Sequence, residues 1–272
     1  MKTKLIFRLL PWLFILMACG NDTDEPDLQP PGPSFPYEET IAALLEAMNM
    51  PRPADSYNYP AYPGMQEWID LKTVENRVKA CQVPIETLKE MSTQAVIQAI
   101  WEYPFLIGVT HRSQYQMDFE ANFLDNNAFI ELTQRSDAGK ALLERMVLVN
   151  PLVNDAKDAS HSLEILTSQP VFLSQLTDDE KKLLVRTAFE KDALRQANFE
   201  LSKRGTTWLL MAKTMKAAGF IPFIEEMEAN EELQNFVELR TYYYGYSEDH
   251  YDELPQLVVR YAESYINENE KI

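Results

Sequence analysis

The chain has 272 residues, of which 46% are hydrophobic and 11% aromatic, enough apolar surface to build a core and too much for a disordered chain. Its 25 basic residues face 42 acidic ones, a formal charge of −17 that excludes a phosphate-neutralising surface, so no nucleic-acid partner is expected. Only 8 glycines are present and no Asn-Gly or Asp-Gly pair, which argues against Gly-rich phosphate loops and tight hairpins.

In chain order, the first segment is an address. Lys2, Lys4 and Arg8 precede the apolar run Leu9–Met17, interrupted by Pro11, and the run ends in Leu16-Met17-Ala18-Cys19. The apolar part is far short of the roughly 20 residues a bilayer core requires, so it is a cleavable signal and not a span. Its close resembles the lipobox of bacterial lipoproteins, with Met17 standing where a small or β-branched residue is more usual. That resemblance implies a signal peptide over 1–18 and a mature chain that starts at Cys19, acylated on its thioether and amine. The protein is then anchored to the outer membrane, on the cell surface or the periplasmic face, without spanning it. Loss of Lys2, Lys4 and Arg8 takes the formal charge from −17 to −20. Residues 19–37 form an acidic and Pro-rich tether, in which the 17 residues Gly20 to Pro36 reach up to roughly 50 Å in the extended polyproline form. The acids directly after Cys19 resemble the export signal of surface lipoproteins in Bacteroides-like bacteria.

Residues 38–272 are expected to fold as a single all-α domain, an irregular bundle of short helices. Four segments carry the helical period clearly. Ser92 is placed to cap a helix with Ala95, Val96, Ala99 and Ile100 on one face, ending before Pro104. Thr177-Asp178-Asp179-Glu180 is a capping box leading into a stripe of Val185, Phe189, Ala193 and Ala197, flanked by Leu184 and Ala188. Trp208, Met211, Ala212 and Met215 make a third stripe, stopped at Gly219. The fourth is Leu254, Leu257, Val258, Tyr261, Ala262 and Tyr265. Weaker periodicity predicts helices over 39–48, 71–82, 84–91, 114–124, 126–134, 137–148, 158–168 and 231–239.

Within 90–146, the residues Met91-Ser92-Thr93, Tyr103-Pro104-Phe105-Leu106-Ile107, Phe119, Arg135-Ser136-Asp137-Ala138 and Leu142-Leu143-Glu144 are similar to a helical segment of uncharacterised secreted or surface-anchored bacterial proteins. The resemblance covers about a fifth of the chain; it implies helix and assigns no activity.

Candidate sites are few. Cys81 is the one thiol left after lipidation, and Leu71, Val74, Val78 and Cys81 share a helical face, which makes it a packing residue. His111, His161 and His250 form no zinc-binding pair. The Tyr-rich segment 242–253 contains Tyr242, Tyr244, Tyr246 and His250 among four acids. Such a loop stacks sugars or gives oxygen ligands to a hard cation, or packs its rings between helices. The strip Asp55–Gly64 with Trp68 displays Tyr57 and Tyr59 on a chain stiffened by Pro60 and Pro63, either for a glycan or peptide or to wrap the body. Glu225, Glu226, Glu228, Glu231 and Glu232 form a solvated acidic face. No catalytic, metal or cofactor site is assigned. The expected function is a non-catalytic binding or interaction module; the alternatives are a structural subunit of a surface complex, or a carboxylate- or metal-dependent hydrolase using Asp249, His250 and Asp252.

Overall fold

The computed structural model describes residues 50–105, 116, 119–120, 123–152, 157–198, 204–239 and 253–268. The described part is all-α, with no strand among these residues. In chain order the helices are α1 (Gln66–Asp70), α2 (Val74–Ala80), α3 (Ile85–Glu90), α4 (Thr93–Trp101), α5 (Asn127–Gln134), α6 (Ala138–Leu148) and α7 (Lys157–Thr167). They continue as α8 (Pro170–Leu173), α9 (Asp178–Ala197), α10 (Gly205–Ala217), α11 (Ile221–Ala229), α12 (Glu231–Gln234) and α13 (Glu253–Asn267). A π-helical turn, Asn235–Leu239, follows α12.

Five of the described helices, α2, α4, α5, α9 and α12, start at a side-chain cap. Ser92 accepts from the Ala95 amide at 3.2 Å and starts α4; Asn126 does the same for α5 through Phe129, Asn230 for α12 through Leu233. The Thr177 capping box is complete, with Glu180 N–H on the Thr177 hydroxyl and the Glu180 carboxylate on the Thr177 amide. That carboxylate is held below its ordinary acidity range chiefly by the Thr177 amide. α10 ends where expected. Gly219, at φ +70°, sends its amide to Lys216 O while Phe220 N–H returns to Met215 O, the paired bonds of a Schellman motif.

Some expected bounds shift for identifiable reasons. The helix predicted over 71–82 starts only at Val74, because Lys72 takes φ +57° and Thr73 caps the new start. Helices α1, α8 and α11 carry no strong sequence period and were not among the expected elements; α8 and α11 both have Pro in the first two positions, where the missing N–H costs nothing. Over 114–124 the described residues Gln116, Phe119, Glu120 and Phe123 are helical, and the helix predicted over 39–48 lies outside the described residues.

The interior has one central rod. α10 is buried around its circumference and packs against α7, α8, α9, α11 and α13. Ahead of it, α4 lies on α5, α6 and α7. A ladder of rings runs through this earlier part, from Trp68 to Phe105 (5.1 Å between centroids), Tyr103 (5.5 Å), Phe123 (5.6 Å), Phe119 (4.7 Å), Phe129 (5.3 Å) and Phe172 (6.1 Å). Among the described residues no helix is long and apolar enough to cross a membrane.

Residues in the stretch 90–146 knit this region together. Arg135 donates to the Leu88 and Met91 carbonyls at 2.7 and 2.6 Å, closing the last turn of α3, and Thr93 donates to the Asp137 carboxylate at 2.8 Å. Their observed contacts are structural.

Two expected faces need correction. On α9 the residues turned inward are Leu184, Val185, Thr187, Ala188, Lys191, Asp192 and Arg195, while Ala193 and Ala197 are exposed and Phe189 is only half-buried. On α2, Val74 is 65% exposed and no residue of the helix is fully buried; Cys81, just past its end, is the buried one.

Candidate functional site

The densest chemistry lies where α7, α9 and α10 meet. Helical spacing places Ser160 and Glu164 one turn apart on α7, and Lys191 and Arg195 one turn apart on α9 with Asp192 beside them. α10 begins next to them with Arg204, Thr206 and Thr207. Arg195 and Glu164, each 1% exposed in their side chains, are bonded Nη1 to Oε1 at 2.8 Å. Arg195 Nη2 donates to Ser160 Oγ at 2.6 Å and Nη1 also to Thr207 Oγ1, while its Nε has no acceptor. Thr206 and Thr207 donate their hydroxyls to Glu164, so this carboxylate faces the positive end of α10. A second pair runs parallel: Arg204 grips Asp192 through two bonds of 2.6 and 2.7 Å and lies 5.0 Å over the Trp208 ring.

Lys191 stands apart from these pairs. Its side chain is buried, and Nζ donates to the Val149 carbonyl at the end of α6. Burial pulls its pKa down to about 8 against the opposing pull of Glu164. The centre thus holds three cations, Lys191, Arg195 and Arg204, against two carboxylates, Glu164 and Asp192.

A smaller relay links the start of the body to α6. Arg52 binds Glu102 through Nε (2.9 Å) and Nη2 (3.1 Å), Glu102 accepts from Gln98, and Gln98 accepts from Arg145 Nη1 at 2.7 Å. Arg145, pushed down to about 10 by burial, also donates to the Gln94 side chain and carbonyl. Both networks join side chains of the same fold, which makes them fastenings. Among the described residues no group of three His, Cys, Asp or Glu is arranged to hold a metal.

The sequence candidates fall as follows. Tyr59 is buried, and its hydroxyl donates to Ala99 O at 2.9 Å in the last turn of α4. Its ring meets Tyr57, Tyr62 and Tyr103 edge-on, with Tyr57 half-buried. Trp68 is buried beneath the Arg77 guanidinium at 5.3 Å. The strip's rings Tyr59 and Trp68 therefore face the body, and Asp55 fastens it by accepting from the Ser92 amide at 2.6 Å, a bond that holds the Asp55 carboxyl below its usual range. Cys81 is buried among these rings, with its thiol pushed up to about 12 by burial, which suits packing. His161 is buried on α7. In the acidic run Glu225, Glu228, Glu231 and Glu232 are exposed, and Glu226 accepts from Tyr261 OH at 2.8 Å. Cys19, His111, Tyr242, Tyr244, Tyr246, Asp249, His250 and Asp252 lie outside the described residues.

Sequence reading missed the ionic centre altogether. One signal was present: Leu184, Ala188, Lys191 and Arg195 continue a single 4-3-4 spacing, so the charged pair extends the apolar face of α9. No protein-family model matches the chain, and neither do the curated proteins or the solved structures with which it was compared.

Proposed function

We propose that the chain is a lipoprotein, anchored to the outer membrane through Cys19 on the cell surface or periplasmic face, whose helical body is a non-catalytic binding or interaction module. The observation that carries the reading is the order of basic residues, short apolar run and Leu16-Met17-Ala18-Cys19. It is supported by the acid- and proline-rich residues that follow, a composition that holds a domain away from a bilayer.

The reading is tested in two stages. Cys19→Ser removes the acylation site, so the variant should lose incorporation of a labelled fatty acid and leave the membrane fraction; unchanged partitioning would overturn the anchor. Titration of the full chain with glycans, peptides and divalent ions should raise its melting temperature for one class, and a flat response across the panel would remove the binding module.

The outer face of α9 favours a second reading, a structural subunit of a surface complex. Leu183 and Leu194, three turns apart on one line, are 44% and 47% exposed, and Ala193 and Ala197 lie exposed beside them. Leu194→Glu should release a co-purifying subunit if this line is a contact, while leaving the melting temperature unchanged.

A further inference from the structure

α6, α10 and α13 pack along α9, and Glu164 of α7 reaches its Arg195. The side of α9 left outward carries Leu183, Arg186, Glu190 and Leu194, all exposed. Successive members lie three or four residues apart, so they form one strip about 16 Å long on the helix surface. Reversed end to end, the strip is its own complement, because leucine then meets leucine and the arginine meets the glutamate. Ala193 and Ala197 border it, also exposed, and their short side chains admit a second helix at close range. A two-fold axis crossing α9 between Ala188 and Phe189 lays Leu183 on Leu194 of a second copy and brings Arg186 within one residue of that copy's Glu190. Parallel pairing fails the same check, since it sets arginine beside arginine and glutamate beside glutamate. Arg186 also has an interaction within its own chain, and its five N–H donors can serve a second acceptor as well.

We propose that this strip is a self-association face, on which a second copy of the chain docks α9 against α9, antiparallel, about a two-fold axis. The inference rests on the second reading above and names the partner of that contact. An unlike protein would need only a surface that matches the strip, whereas this order of residues matches itself, the property an isologous contact demands. The leucine contact and the arginine–glutamate contact are each made twice. Burial of the leucines supplies the attraction, and the opposed charges select the antiparallel orientation over the parallel one.

Sedimentation equilibrium of the purified full chain should show a mass that rises with concentration from that of one chain towards that of two. Arg186→Glu alone and Glu190→Arg alone each set like charges face to face in the pair, so each should keep the chain single, with helix content unchanged by circular dichroism. Mixed in equal amounts, the two variants regain opposite charges at both crossings and should pair again. A wild type that stays single at every concentration, reversals that pair as the wild type does, or a mixture that stays single overturns the proposal. If the wild type stays single while Leu194→Glu releases a different subunit, self-pairing falls and the surface-complex reading stands; if Leu194→Glu then releases nothing, both fall. Should either reversal not fold, disulfide trapping decides. Leu183→Cys mixed with Leu194→Cys, both also carrying Cys19→Ser and with Cys81 buried, should cross-link between the variants and not within either alone, because antiparallel pairing keeps like positions about 16 Å apart. Cross-linking of one variant with itself, or no cross-link in the mixture, overturns the proposal.

Discussion

The Tyr-rich strip and helices α1 to α5 are fastened chiefly by rings, and the meeting of α7, α9 and α10 chiefly by charges. In the first region Tyr59, Tyr103, Phe123, Phe119 and Phe129 touch in succession, and the polar atoms among them are satisfied one at a time, as when the Tyr59 hydroxyl takes the Ala99 carbonyl. In the second, Glu164 alone accepts from Arg195, Thr206 and Thr207, which lie 31 to 43 residues away in the chain. Ring packing degrades gradually, because a lost contact leaves its neighbours in place. An ionic centre does not, since removing one member strands a charge that nothing else can neutralise.

The largest effect expected from this difference is at Arg195. Arg195→Ala leaves the Glu164 carboxylate buried without its cation and should cost about 3–5 kcal/mol in a denaturant titration. The double variant Arg195→Met with Glu164→Leu, which removes both charges and keeps the volume, should regain most of that loss. A single variant costing under about 1 kcal/mol would mean the pair is solvated, and the contrast between the regions would fail.

These regions also differ in how far the sequence announces them. The apolar period and the caps at Ser92 and Thr177 identify α4 and α9 because both signals are local: a hydroxyl meets an amide three residues on, and side chains three or four apart share a face. The inner face of α9 was misjudged for the complementary reason. Val185, Phe189, Ala193 and Ala197 form the most apolar line, yet the helix buries Lys191, Asp192 and Arg195, whose partners come from α6, α7 and the start of α10. Nothing within α9 itself encodes those partners. Tyr57, Tyr59 and Trp68 were legible as a group, but not the direction of their rings, which is set by Ala99 O and by Arg77 from other segments.

A smaller effect tests the ring-packed region on its own terms. Tyr103 N–H turns to Ile100 O at 3.3 Å, and the Tyr59 hydroxyl supplies a donor to Ala99 O in the same final turn of α4. Tyr59→Phe keeps every ring contact and removes that donor, so chemical denaturation should show a loss of about 1–2 kcal/mol. The reduced variant should still fold cooperatively, with Cys81 as slow to react with a thiol reagent as in the wild type, because the rings that bury it are unchanged. Faster labelling of Cys81 would show that the hydroxyl, and not the ring packing, holds the strip down.

The smallest change is expected at the turn between α1 and α2, where two opposing backbone terms nearly cancel. Lys72 is exposed and holds φ +57°, a conformation that disfavours any residue with a Cβ by about 1–2 kcal/mol. Lys72→Gly removes that strain, but glycine's greater freedom in the unfolded chain returns about 0.5–1 kcal/mol of it. The net gain should be about 0.5 kcal/mol, read as a small rise in the denaturation midpoint at constant slope. The turn is held by Lys72 N–H on Ile69 O and by the Asn76 side chain on Leu71 O, neither of which involves the Lys72 side chain. A loss of stability on Lys72→Gly would therefore place the lysine side chain itself among the fastenings of the ring-packed region, beside the Arg52–Glu102 pair already there.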